Sequence, residues 1–395
     1  MRAAITASTI ALVANLLIPA PAAAKKKWQE TVPVPVTPEN IESALRRGAD
    51  FLIADQNKNG SWGSATRTKD LNIYASIPGS HHAFQAACTA MAVEALWDSG
   101  LAASDPKVQQ SIDRGEAYLF EKLERVRRAD QVAIYNVWTH IYAIQALARM
   151  SEEKPDDAAR QQRIKELIEN QLDRLRRYES VDGGWGYYDF RYGTKRPSSS
   201  STCFVSAAGL VAFHDAAAAG FEMPDDLTKR AVASIQRQRK SDNTYVYAEP
   251  HKMRPMRAIN RSGGSLGRSQ SCNIALRLHG DQTVTDAVLS EWLDRLTARN
   301  GWLDIGRKRP RPHESWFAVA GYFFYFGHYY AGRCIADLPD DTPEQKAEVK
   351  RQQDQLAAIL LRLQEKDGSW WDFPFYDYHQ PYGTAFAMLT LVNCR

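Results

Sequence analysis

Gln56-Asn57-Lys58-Asn59-Gly60-Ser61-Trp62 stands near the beginning of the chain, and Gln364-Glu365-Lys366-Asp367-Gly368-Ser369-Trp370 stands near its end. Each follows an amphipathic stretch. The pair reads as a helix that closes on Gln and breaks at Gly, the residue that takes a left-handed backbone at no steric cost. The Trp then offers a large flat surface to a neighbouring unit. Its indole N–H only donates, so a structural role is expected for Trp62, Trp185 and Trp370. Gln56 and Gln364 are expected to satisfy backbone groups left over at the turns. The same sentence written twice, far apart, is the mark of a repeat architecture. Tyr178-Glu179-Ser180-Val181-Asp182-Gly183-Gly184-Trp185 is a looser copy without the Gln, and Asn300-Gly301-Trp302 is looser still. Arg46-Arg47-Gly48-Ala49-Asp50-Phe51-Leu52 also returns, as Asp113-Arg114-Gly115-Glu116-Ala117-Tyr118-Leu119.

Two kinds of helix alternate between these turns. The first kind is charged and amphipathic, over 41–56, 108–123, 158–178, 226–239, 283–297 and 343–364. Leu45, Ala49, Leu52 and Ile53 illustrate the three- and four-residue spacing of one buried face. The second kind is nearly uncharged and rich in small residues, over 82–97, 138–150, 202–217, 271–278, 315–334 and 382–392. Such helices are buried on most sides. The alternation predicts an all-α fold with six inner and six outer helices in two concentric rings. The 241–267 stretch, with Gly263-Gly264, reads as a long loop. Asp340 and Asp341 read as caps for the helix that starts near Pro343.

The first 24 residues have the layout of a secretory signal: Arg2, an apolar run, then Ala-rich sequence before Lys25-Lys26-Lys27. Export to the periplasm or beyond is therefore expected, with a linker over 25–39 and one domain over 40–395. After the leader there is no run of about 18 uncharged apolar residues, so no transmembrane span is expected. The formal charge is +4, spread along the helices, unlike the basic stripe of a nucleic-acid binder. Five cysteines lie far apart, which is not a disulfide framework.

The Gln-x-x-x-Gly-Ser-Trp units at 56–62 and 364–370 resemble the QW repeats of squalene and oxidosqualene cyclases. The chain thus resembles the prenyltransferase and squalene-oxidase repeat superfamily, which implies an (α/α)6 toroid over nearly the whole length. The resemblance further implies a central cavity ringed by the starts of the inner helices, and an apolar, isoprenoid-like small molecule as its occupant. The Asp-x-Asp-Asp acid motif of squalene–hopene-type cyclases is missing from this sequence. Prenyltransferase β subunits hold zinc with an Asp-x-Cys and a His. Here His379 resembles that His, while His313-Glu314 stand where the Asp-x-Cys would begin. Zinc is the cofactor this brings into view, with Cys272, His313 and His379 as chemically able ligands.

Five of the nine histidines fall at inner-helix starts. From that rim we take His313, Glu314, His379, Tyr382 and His140 as candidate catalytic groups, and Trp138, Trp316, Tyr322, Phe323 and Tyr378 as candidate cavity walls. Aromatic faces suit a hydrocarbon, a cation or a sugar ring. The same toroid also serves polysaccharide-degrading enzymes, and Asp182, Asp189 and Glu314 are the carboxylates that such a role would use. A non-catalytic scaffold is the third expectation. The basic run Arg307, Lys308, Arg309 and Arg311 is a candidate anion grip or a solvated loop.

Overall fold

The computed structural model describes residues 34–70, 78–191, 196–198, 201–313, 316 and 318–395. The secretory signal, most of the linker and Glu314 lie outside them. From Val34 to Arg395 the chain forms one compact unit. Its helices are α1 (Pro38–Asp55), α2 (Pro78–Asp98), α3 (Pro106–Lys122), α4 (Asn136–Ser151), α5 (Ala158–Tyr178), α6 (Cys203–Ala218), α7 (Asp225–Gln238), α8 (Ser262–Leu278), α9 (Asp286–Ala298), a short α10 (Asn300–Asp304), α11 (Phe323–Ala336), α12 (Pro343–Leu363) and α13 (His379–Val392). Among the described residues there is no β-strand, only isolated bridges.

The inner ring is α2, α4, α6, α8, α11 and α13. Each packs on the next, and α13 returns to α2. The outer helices α1, α3, α5, α7, α9 and α12 pack against it. This is an α/α toroid, as the alternation predicts. Small residues allow the inner helices to approach closely. A methyl at Gly327 of α11 would stand 2.6 Å from the Cα of Gly267 on α8.

The Trp turns build the joints. The indole N–H of Trp62, Trp185 and Trp370 donates to the carbonyl ten residues back, at Leu52 (2.7 Å), Leu175 (2.8 Å) and Leu360 (2.9 Å). Each Trp backbone N–H donates to an inner-helix hydroxyl, Thr89, Ser206 or Thr384. Gly60 and Gly368 have φ of +88° and +92°. The Gln56 amide donates to the carbonyls of Gly60 and Ser111, and that of Gln364 to Gly368 and Ala44. The last joint seals the ring. Trp370 packs on Gly48 of α1 as Trp62 packs on Gly115 of α3. Arg47 donates to the Glu365 carbonyl as Arg114 does to that of Asn57.

A further copy of the turn escapes the sequence reading. Lys240 N–H donates to the Thr244 carbonyl at 2.8 Å, as Asn57 does to Ser61 and Glu365 to Ser369. Asn243, at φ +57°, replaces the Gly, and buried Tyr245 replaces the Trp.

Three expectations need correction. Gly263-Gly264 belong to helix α8, not to a loop: α8 begins at Ser262, and both glycines are buried in its first turn. The fifth inner helix begins at Phe323 rather than near 315. The α12 helix is capped by Thr342, in a reciprocal box with Gln345, and not by Asp340 or Asp341.

Candidate functional site

A cavity of about 280 Å³ opens among the N-terminal halves of the inner helices. That is near the lower end of ordinary small-molecule sites, about 300 Å³. Fourteen of its nineteen lining residues are Phe, Tyr or Trp, and none is a carboxylate or a Lys or Arg. The described walls therefore present mainly ring faces, with no fixed charge among them. Trp138 stacks on Tyr142, Phe204 meets Phe323 edge-on at 5.0 Å, and Phe84 meets Phe375 edge-on at 4.6 Å.

One side of the lining is polar. The Tyr322 hydroxyl donates to His313 Nε2 at 2.9 Å, and His313 Nδ1–H donates to the Ala318 carbonyl at 3.1 Å. The second bond fixes the tautomer that leaves Nε2 as an acceptor. Burial pushes the His313 imidazole down to about 4, so it is neutral near pH 7. Tyr322 also shares a hydrogen bond with Tyr247 at 3.3 Å, and Tyr247 bonds Tyr187. Tyr135 bonds Tyr188. The loop that carries His313 is strained: Lys308, His313 and Ala318 all have positive φ. Non-glycine residues hold such angles at a cost that the surroundings must offset.

The lining also includes Tyr382, whose hydroxyl donates to Asp372 Oδ1 at 2.5 Å. Asp372 is fully buried, and its Oδ2 accepts the Tyr325 N–H at 2.9 Å. Burial pushes its carboxyl up to about 6. Neither Asp372 nor the Tyr187-Tyr188 pair stood out in the sequence. A signal was present: aromatic residues follow three of the turn residues, Trp185, Tyr245 and Trp370, two to five positions on, at Tyr187-Tyr188, Tyr247, and Phe373 and Phe375.

The candidates separate into two groups. His313, Tyr382, Trp138, Tyr322 and Phe323 line the cavity. His140, His379, Tyr378 and Trp316 do not. His140 turns toward α5, where Gln171 Oε1 accepts from Nδ1 at 2.7 Å and Nε2 accepts from Asn136 at 3.2 Å. Burial pushes it down to about 3. His379 donates from Nδ1 to the Tyr376 carbonyl at 2.7 Å and packs edge-on against Trp371. Tyr378 is buried with its hydroxyl on His81. Trp316 is 69% exposed, with the Arg261 guanidinium 5.5 Å over its ring. It falls outside because α11 starts seven residues later, leaving it on the preceding loop.

Cys272 is buried inside α8, whereas His313 lies in the loop before α11 and His379 opens α13. Among the described residues no three His, Cys, Asp or Glu side chains converge in a way that could hold a metal. Of the carboxylates, Asp189 is buried against Arg128 (3.2 Å) and the Ser198 hydroxyl (2.8 Å). Asp182 sits in the Gly183-Gly184-Trp185 turn, its carbonyl accepting from Arg237. Neither reaches the lining. In the basic run, Arg307 bonds Asp304 and lies over the Phe324 ring, and Lys308 bonds Glu365.

No family model matches the chain, and no curated protein sequence does. Solved structures do. The unsaturated glucuronyl hydrolase of Bacillus sp. GL1 aligns with a TM-score of 0.55 at 12% identity, covering 89% of this chain and 95% of that one. An inactive variant of an α-1,6-mannanase from Salegentibacter sp. HEL1_6, in complex with α-1,6-mannotetrose, aligns at 0.52 and 11%, covering 90% and 98%. The type II terpene cyclase MstE from Scytonema aligns at 0.47 and 14%, covering 90% and 97%. At identities this low the likeness speaks of the fold alone. The chain has the α/α toroid of the glucuronyl hydrolase and the mannanase.

Proposed function

We propose that this protein binds a small apolar molecule inside the aromatic cavity and orients it through the polar pair His313 and Tyr322. The observation that carries the reading is the lining itself: mostly ring faces, with no carboxylate, Lys or Arg among its described residues. Removing apolar surface from water supplies affinity at about 25 cal/mol per Å². Ring faces also favour an extended or polycyclic hydrocarbon, or a cation formed on one. The Tyr322 oxygen, whose own hydrogen is held on His313 Nε2, is the acceptor that a ligand hydroxyl would meet. An isoprenoid-like ligand fits this chemistry. If turnover occurs there, His313, Tyr322 and Tyr382 are the groups within the lining able to move a proton.

A second reading rests on the phenols. The hydroxyls of Tyr135, Tyr188, Tyr187, Tyr247 and Tyr322 lie in hydrogen-bonded sets along one wall, and a sugar ring could stack on the same faces. Glycoside hydrolysis by the usual mechanism needs two carboxyls flanking the bond, about 5–9.5 Å apart. The described lining offers no such pair. This reading is therefore one of carbohydrate binding.

Titration calorimetry with farnesol and with α-1,6-linked mannotetraose separates the two. Micromolar binding of farnesol with a negative heat-capacity change, and none of the tetrasaccharide, is the expected outcome. Binding of the sugar alone would replace the first reading with the second.

A further inference from the structure

Asp372 occupies an unusual place. It stands two residues beyond Trp370, is fully buried, and bonds the Tyr382 phenol of the lining. Its two oxygens have different partners: Oδ1 accepts the Tyr382 hydroxyl at 2.5 Å and Oδ2 accepts the Tyr325 backbone N–H at 2.9 Å. The Asp372 backbone carbonyl accepts the Lys308 N–H. As a carboxylate, Asp372 holds the Tyr382 hydrogen away from the cavity. The Tyr382 ring still forms part of the wall.

We propose that Asp372 is a positioning residue that sets the direction of the Tyr382 hydroxyl, and that the cavity thereby selects apolar ligands carrying a hydrogen-bond-accepting oxygen, such as a ketone. When Asp372 takes one proton from solvent on Oδ1, its O–H donates to the Tyr382 oxygen. The phenol O–H is then released to turn into the cavity and donate to the ligand oxygen. No covalent bond is made or broken, and one proton is taken up with the ligand. The inference rests on the cavity being the ligand site.

The groups facing Asp372 are few. Tyr382 comes from α13, the Tyr325 N–H from α11, and the Arg307 charge from the segment after α10. The hydrogen bonds and Arg307 favour the carboxylate, yet burial outweighs them and raises the carboxyl to about 6. A raised carboxyl gains its proton as the pH falls through that value, so uptake of an oxygen-bearing ligand strengthens below pH 6 and weakens above it. His313 titrates lower, at about 4. Asp55, raised to about 7, titrates nearby but belongs to α1 and is not in the lining.

Calorimetry with two probes at pH 5 and pH 8 tests this: geranylacetone, a ketone, and farnesene, a hydrocarbon of similar size. One neutral hydrogen bond is worth about fivefold in affinity. Geranylacetone should therefore bind about fivefold tighter at pH 5 than at pH 8, with farnesene unchanged. Asp372→Asn places an amide N–H on the Tyr382 oxygen at every pH. It should bind geranylacetone at pH 8 as tightly as the wild type does at pH 5. Tyr382→Phe should erase the difference between the two pH values. A flat geranylacetone profile in the wild type, or a slope that survives in Asp372→Asn, overturns the inference while farnesene binding leaves the cavity reading in place. Failure of both probes to bind at either pH overturns both.

Discussion

The two ends of the inner ring are built from opposite materials. At the N-terminal ends of its helices lies a hollow walled by rings. At the C-terminal ends the space is tied shut by charge. Arg333 of α11 makes two bonds to Asp215 of α6, at 2.5 and 2.8 Å. Gln145 of α4 donates to Asp215 at 2.9 Å and to the Tyr329 hydroxyl at 3.0 Å. Arg149 of α4 bonds Asp98 of α2 at 2.6 Å. Glu94 lies beside them, its carboxyl pushed well up by burial and by Asp98 and Asp215. Four inner helices are thus cross-linked at one end, which leaves the other free to remain open. Stability and ligand binding are expected to reside at different ends of the same rods.

That division can be attacked from either side. The largest effect is expected at the tied end. Asp215→Ala leaves the Arg333 guanidinium, about one-fifth exposed, without its carboxylate. A loss of about 3 kcal/mol is expected, read in urea unfolding, with farnesol affinity in the surviving folded protein unchanged. An equal loss of affinity would show that the ends are not independent. Next comes the hollow. Ala87 is a small lining residue on α2, and Ala87→Phe puts a ring into the cavity. Farnesol binding should weaken at least about tenfold, a change of about 1.4 kcal/mol in affinity, while the urea midpoint barely moves. Unaltered binding would place the ligand elsewhere. Tyr322→Phe removes one hydroxyl from the polar side. A loss of about fivefold in farnesol affinity is expected, with none for farnesene.

The smallest effect is one of sign. Glu94 keeps its proton in the folded state at a pH where the unfolded chain ionises it. Its contribution to stability is full below the ordinary carboxylate range and is lost as the pH rises. Glu94→Gln mimics the protonated form, so its melting temperature should exceed that of the wild type at pH 8 and match it at pH 4. The reverse order at pH 8 would mean that Glu94 is an ionised partner of the arginines.

The tied end was invisible in the sequence because its partners come from four separate helices. The joints were visible because each is local. A Trp that bonds a carbonyl ten residues back needs only its own helix and turn, and Gln56 and Gln364 bond the Gly of that same turn besides reaching Ser111 and Ala44. Where the local letters changed but the geometry did not, the reading lost the unit: Asn243 and Tyr245 build the same turn without Gly or Trp. Gly263-Gly264 misled in the opposite direction. Glycine lowers helix propensity, but α8 is buried from Gly263 onward, and that burial keeps both in the helix.

The same distinction runs through the site. The repeat turns and the alternation of wet and dry helices determined that this chain closes into a toroid, because periodicity is carried by residues a few positions apart. Which aromatic rings meet in the hollow was decided only by the tertiary structure. Trp316 and Tyr322 are six residues apart, yet Trp316 is exposed on the loop before α11, while Tyr322, next to the first residue of α11, lines the cavity. His140 sits on an inner helix, as read, but a helix has a back as well as a front, and Gln171 on α5 holds it at the back. Asp372 is an ordinary acid in the sequence. Burial against Tyr382 and Tyr325, brought together from three segments, makes it a carboxyl that can keep its proton.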